Sequence, residues 1–138
     1  MNTIQIVDEL RESTHARIKS ALPHVKIVQV IHVIDEASVE AALHCAESVD
    51  ALLLDSGNPN LPRKELGGTG RVHDWSLSRK IREGTTTPIF LAGGLKPDNA
   101  RAAIDAVQPF GLDLCSGVRT DDRLDEKKLR DFFQAIQK

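Results

Sequence analysis

Cysteine is scarce in this chain of 138 residues: there are two, Cys45 and Cys115, and neither belongs to a CxxC pair or a Cys/His cluster of metal-ligand spacing. A metal site is therefore not expected, nor a disulfide, and both residues are read as buried thiols packing as small apolar side chains. Long apolar runs are missing too. No segment approaches the ~18 residues of a membrane span. The opening Met1-Asn2-Thr3-Ile4-Gln5 lacks the basic and apolar regions of a signal peptide, so the expected location is the cytoplasm. Charge of one sign is equally lacking. The 18 basic and 20 acidic residues leave a net charge of −2, spread without long blocks. That excludes the basic face on which a nucleic-acid backbone would bind.

What is present suits one folded domain over residues 1–138. Hydrophobic residues make up 41% and charged residues 28%, proportions that fit a globular core rather than disorder. No linker, low-complexity tract or clear repeat interrupts the chain. Strand-like and helix-like patterns alternate from end to end. Thr3 to Val7 is short and β-rich, and a helix is predicted from Ser13, as N-cap, to about Leu22 before Pro23 stops it. Val25 to Val33 is dense in Val and Ile, as in a strand buried on both faces. Asp35 caps a predicted helix carrying Val39, Leu43 and Ala46. Val49 to Asp55 is a third apolar strand, ending on a carboxylate. A long loop, Ser56 to Arg71, precedes a helix capped by Asp74 and carrying Leu77 and Ile81. Ile89 to Ala92 runs into Gly93-Gly94, and Pro97 opens a helix with Ala100, Ala103, Ile104 and Val107 on one face. Gly111 to Cys115 runs into Ser116-Gly117, and Leu129, Phe132, Phe133 and Ile136 stripe the last helix. Five βα units in strict alternation predict a parallel sheet covered by helices. Periodicity alone leaves open whether the sheet is a doubly wound one or a piece of a closed barrel.

Asp55, Gly93-Gly94 and Ser116-Gly117 fall at the carboxyl ends of successive predicted strands, the edge on which parallel α/β proteins build their sites. Glycines there let backbone N–H groups approach an anion closely, with helix N-termini adding positive potential. The plainer reading of each glycine pair is a tight turn.

Leu52 to Asp55 (LLLD), then Gly67-Gly68-Thr69-Gly70 with His73-Asp74-Trp75 close behind, resemble the sixth-strand region of the phosphoribosylanthranilate isomerase family. Leu91 to Leu95 (LAGGL), with Pro97 and Asn99, resembles its seventh strand and following helix. Pro109 to Val118 (PFGLDLCSGV) is similar to its eighth strand and glycine turn. The blocks keep the family's order and spacing from roughly Asp50 to Phe133, and the two upstream strands align with its fourth and fifth by position and pattern. The resemblance implies the fold and the chemistry: a TIM barrel, represented by about five of its eight βα units, and an Amadori rearrangement in tryptophan biosynthesis that turns a phosphorylated aminoaldose into an aminoketose. It implies Asp55 as general acid, Gly93, Gly94, Ser116 and Gly117 around the substrate phosphate, Gly68 and Thr69 on a loop over the site, and no cofactor.

The resemblance also has gaps. The family's first three βα units have no counterpart, nor do the cysteine base on its first strand and the arginine near its second. Val7 stands where the family usually has histidine. Replacement bases are weighed at Cys45, Cys115, Asp8 and His32, and for each a structural role is the expectation: packing for the thiols, solvation or capping for Asp8, an inert hydrogen-bonded ring for His32. Arg71 and Arg119 flank the glycine motifs and are preferred to Lys96 as added positive charge, while Arg63-Lys64 is read as solvated and Trp75 as packing beneath the loop. Weak or absent catalysis by these five units alone is the consequence. A related phospho-sugar isomerase with a different substrate, and a non-catalytic phosphate-ligand binding or oligomerising fragment, are the rival readings. Five strands also leave two open edges, through which a homo-oligomer would form.

Overall fold

Each predicted unit finds its place in the computed structural model, which describes residues 2–10, 13–55 and 74–137. The strands β1 (Thr3–Ile6), β2 (Lys26–His32), β3 (Ala51–Asp55), β4 (Ile89–Leu91) and β5 (Gly111–Leu112) alternate with helices α1 (Thr14–Ala21), α2 (Glu36–Ala46), α3 (Trp75–Gly84) and α4 (Pro97–Val107). They form one five-stranded parallel sheet in the order β1-β2-β3-β4-β5. After β5 come a single 3₁₀ turn (Ser116–Val118), a small antiparallel hairpin of β6 (Arg119–Thr120) and β7 (Arg123–Leu124), and α5 (Glu126–Ile136).

The strand order settles the choice that periodicity left open. A doubly wound sheet reverses its order at a switch point and carries helices on both faces; here the order never reverses. Helices α1 to α4 also share one face. Ile27, Leu52, Leu54, Ile89 and Leu91 point out from the strands into a core with Val39, Ala42, Ala46, Leu77, Ile81, Ala103 and Val107 of the helices, and Ile18 of α1 packs against it. This is the one-way winding of a barrel wall. The opposite, inner face carries a separate apolar cluster of Val30, Leu53 and Ala92, flanked by Val28 and Phe90. All five residues of β3 are buried, as the central position of that strand requires. Among the described residues β1 pairs only with β2 and β5 only with β4, so both are edges.

The local signals act as their chemistry dictates. The Asp35 side chain accepts from the Ser38 N–H at 3.1 Å and that of Asp74 from the Ser76 N–H at 2.8 Å, satisfying N–H groups that an unfinished helix leaves open. Pro97 occupies the first turn of α4. Three expectations need correction. Ser13 sits at the N-cap of α1 in a left-handed conformation (φ 67°) and makes no side-chain capping bond. The regular pairing of β5 stops at Leu112 rather than Cys115, because the chain turns into the 3₁₀ helix. Phe133, on the predicted apolar stripe of α5, is 52% exposed while Phe132 is buried. The hairpin β6–β7 was not foreseen: two-residue strands carry too little pattern to read.

Candidate functional site

Strand alternation decides which side chains meet. Leu52 and Leu54 face the helices, so Leu53 and Asp55 face inward. Asp55 is the last residue of β3 and is 7% exposed. Its backbone is held on both sides: the Val33 N–H donates to the Asp55 carbonyl at 2.9 Å, and the Ala92 N–H to the Leu54 carbonyl at 2.7 Å. The carboxyl borders a cavity of about 360 Å³ that opens on the inner face at the carboxyl ends of the strands, with Val7, Val30, Leu53, Gly93, Gly94 and Ser116 in its wall.

The two glycine turns are built by conformation and contact rather than by flexibility alone. Gly93 and Gly94 have φ of 82° and 65°, the left-handed region that L side chains avoid. Gly117 is required for another reason: a Cβ there would lie 1.8 Å from the Leu95 carbonyl oxygen. The two turns are therefore in direct contact. Gly94 and Ser116 also line a second, adjoining hollow of about 680 Å³, together with Gly117, Lys96 and Lys128. This larger hollow lies on the helix side and lacks Asp55, so the smaller cavity is the one that joins Asp55 to the glycine turns. Next to both stands the N-terminus of α4, which adds positive potential. Its end is tied to the turn by Asn99, whose Oδ1 accepts the Lys96 N–H at 2.9 Å and whose Nδ2 donates to the Gly94 carbonyl at 3.0 Å.

The predicted residues thus converge in part. Asp55, Gly93, Gly94 and Ser116 border one cavity, and Gly117 stands on the other side of the same wall. Gly68 and Thr69, like Arg63, Lys64 and Arg71, lie outside the described residues. Arg119 is exposed on the hairpin, donates to the Asp122 carbonyl at 3.4 Å and lines neither hollow. Lys96, ranked below it from the sequence, does line the larger one, and so does Lys128, which the sequence reading missed. Lys128 Nζ donates to the Arg119 carbonyl at 2.7 Å, so that lysine also ties α5 to the hairpin.

The thiols divide. Cys45 is half-buried against the main core, and burial pushes its thiol above the ordinary range, as for an inert packing group. Cys115 is exposed and borders the smaller cavity, which corrects its expected core position; the early end of β5 turns it out. Asp8 is exposed and borders neither cavity, while the neighbouring Val7 does. Trp75 packs against the main core, and the loop it was expected to lie beneath is outside the described residues. Two further groups were missed. Asp113 places a second carboxylate on the Asp55 cavity, a position legible in retrospect from the apolar Leu112 and Leu114 on either side of it. His32 had been read as hydrogen-bonded, yet both its ring nitrogens are buried without a partner. Leaving such a group unsatisfied costs about 1–3 kcal/mol. Among the described residues no group of three or more His, Cys, Asp or Glu is placed to share a metal ion, and no helix is long and apolar enough to cross a membrane.

Known proteins resemble this chain in sequence and in shape. The family model for N-(5'phosphoribosyl)anthranilate (PRA) isomerase matches residues 1–135. The N-(5'-phosphoribosyl)anthranilate isomerase of Methanosarcina acetivorans is 39% identical over 99% of this chain and 60% of its own length. Isomerase 1 of Methanosarcina mazei is 46% identical over 64% of this chain and 36% of its own length. Among solved structures, phosphoribosyl anthranilate isomerase from Thermotoga maritima superposes with a TM-score of 0.78 at 29% identity, over 99% of this chain and 62% of that one. A phosphoribosyl anthranilate isomerase in complex with reduced 1-(o-carboxyphenylamino)-1-deoxyribulose 5-phosphate does so with a TM-score of 0.75 at 27% identity, over 99% and 60%. The chain spans about 60% of the length of the Methanosarcina acetivorans protein and of the two solved structures. Its sequence and its fold agree, and the chain belongs to the N-(5'-phosphoribosyl)anthranilate isomerase family.

Proposed function

We propose that the cavity at the carboxyl ends of β3, β4 and β5 takes a phosphorylated aminosugar and serves the family's Amadori rearrangement in the cytoplasm. One observation carries this reading: Asp55 and the glycine turns, distant in sequence, border a single cavity. Gly93, Gly94, Ser116 and Gly117 receive the phosphate, where left-handed glycines and the α4 N-terminus offer N–H groups and positive potential. Lys96 and Lys128 add charge from the adjoining hollow. Asp55 gives its proton to the ring oxygen as the bond from that oxygen to the anomeric carbon breaks. The resulting iminium then loses the proton on its adjacent carbon to a general base, and the enolamine rearranges to the aminoketose. Gly68 and Thr69 would close over the ligand. No cofactor enters this scheme, since both steps are proton transfers.

The test is turnover of phosphoribosylanthranilate by the 138-residue chain, followed by loss of substrate fluorescence, beside Asp55→Asn. Weak turnover in the parent, abolished in Asp55→Asn, is the expected outcome, since the loss of a general acid adds to the missing base. Binding without turnover in a folded parent would reject catalysis and leave a phosphate-ester binding module. Turnover that Asp55→Asn leaves unchanged would remove Asp55 from the acid's role.

The second element of the proposal is self-association through the edge strands β1 and β5, which among the described residues have one neighbour each. Monomers generated from the dimeric phosphoribosylanthranilate isomerase of Thermotoga maritima share the fold at 26% identity and a TM-score of 0.77, so the parent of that relative is itself a dimer.

A further inference from the structure

His32 is the one histidine among the described residues whose two ring nitrogens are both buried without a hydrogen-bond partner. Its position is specific. It is the last residue of β2, and the register pairs it with Asp55, the last residue of β3. Val28 and Val30 of β2 belong to the inner cluster, so alternation puts His32 on that same inner face. Its two neighbours there, Val30 along the strand and Asp55 across it, both border the smaller cavity, while His32 itself stands behind that lining. A paired ring elsewhere in the chain marks the contrast: His15 Nε2 lies 2.9 Å from the Oε1 of Gln29.

Strand order then says what His32 would meet. Gly93-Gly94 follows β4, Asp55 ends β3 and His32 ends β2. Neighbouring strands lie about 4.8 Å apart, so His32 stands two strands, on the order of 10 Å, from the glycine turn. That places it at the end of a five-carbon sugar phosphate remote from a phosphate held by the glycines. A neutral imidazole offers one donor and one acceptor, which matches a hydroxyl or a secondary amine, the groups such a ligand carries at that end. Buried polar groups nearly always have partners, and the structure gives His32 none.

We propose that His32 is a binding residue for the phosphate-remote end of the aminosugar phosphate, hydrogen-bonding its amine or adjacent hydroxyl beside Asp55. The proposal rests on the cavity being the phosphate-ester site described above. Its test compares two probes by calorimetry on the full chain: reduced 1-(o-carboxyphenylamino)-1-deoxyribulose 5-phosphate and inorganic phosphate. His32→Leu is expected to weaken the aminosugar phosphate about tenfold while leaving inorganic phosphate within about twofold, as one lost hydrogen bond predicts. His32→Gln, which keeps a donor and an acceptor, is expected to restore most of the affinity, and the ring ¹⁵N resonances of His32 should shift when the aminosugar phosphate is added to the parent. Equal affinity in parent and His32→Leu overturns the proposal and leaves the cavity assignment standing. An equal loss for both probes, or a His32→Leu chain that melts without binding beside a His32→Gln that does not recover affinity, shows a structural role and overturns it too. A parent that binds inorganic phosphate but not the aminosugar phosphate, or neither, overturns the proposal together with the cavity assignment.

Discussion

Single residues decide the chemistry of this chain, and Gly117 shows how tightly. Because a Cβ at that position would stand 1.8 Å from the Leu95 carbonyl, Gly117→Ala must push two turns apart. Overpacking of this kind costs typically 1–3 kcal/mol, so the variant should melt lower and lose phosphate affinity together, both readable in one thermal-shift titration with inorganic phosphate. Asp50 sets a pH dependence. Its Oδ2 accepts the Ile27 N–H at 2.8 Å, and Lys19 Nζ lies 3.4 Å from it. That backbone hydrogen bond, with Lys19 nearby, holds its carboxyl below the ordinary range. A lowered folded pKa means stability that is present above the unfolded value, about 3.9, and lost as pH falls through the folded one. Asp50→Asn should therefore destabilise the chain at neutral pH, with the gap in melting temperature closing as the pH is taken down below the ordinary aspartate value of about 3.9. A gap that stays constant with pH would reject this role.

Among the elements, α1 is the most weakly held, and one side chain compensates. None of its residues is buried. Gln29, buried at 2% exposure on β2, faces it. Its Nε2 shares two hydrogens among the carbonyls of Ile6, Asp8 and Val30, each at 3.1 Å, and its Oε1 accepts from His15. Since an amide oxygen only accepts, His15 Nε2 must carry the proton in this pair. Gln29 thus ties α1, the end of β1 and the segment after it into one unit, beside the Val7 that borders the cavity. Gln29→Leu leaves several buried polar groups unpaired, at a cost of about 2–3 kcal/mol. Urea unfolding should register that loss, and amide exchange should rise selectively at residues 6–10 and in α1. The α2 and α3 caps were legible beforehand because an Asp three or two residues before a helical N–H is a local pattern. Gln29 was not legible, because its partners come from three separate stretches of chain.

For the molecule as a whole, the sheet is the dominant fact. Five parallel strands wind in one direction and leave β1 and β5 as edges among the described residues. Phe110, next to β5, is 73% exposed, and unpaired edges with apolar neighbours favour pairing with another chain. The expected outcome in light scattering is a mass that rises with concentration. A single monomer mass across a wide range would reject association through the edges.

The order of the five strands and the helices between them, the helix stops, the carboxylate ending β3 and the two glycine turns were all determined by the sequence alone. Each is a local matter of period, cap or turn chemistry, complete within about ten residues. The block motifs carried the family as well, since their order and spacing are linear properties. Tertiary structure alone decided the rest: that α1 to α4 share one face, that Lys96 rather than Arg119 stands by the turns, that Cys115 turns outward, and that Asp113 and His32 join the inner face around Asp55. These depend on strand register and on contacts between segments far apart in the chain, and a one-residue slip of any strand would have sent its side chains to the opposite face.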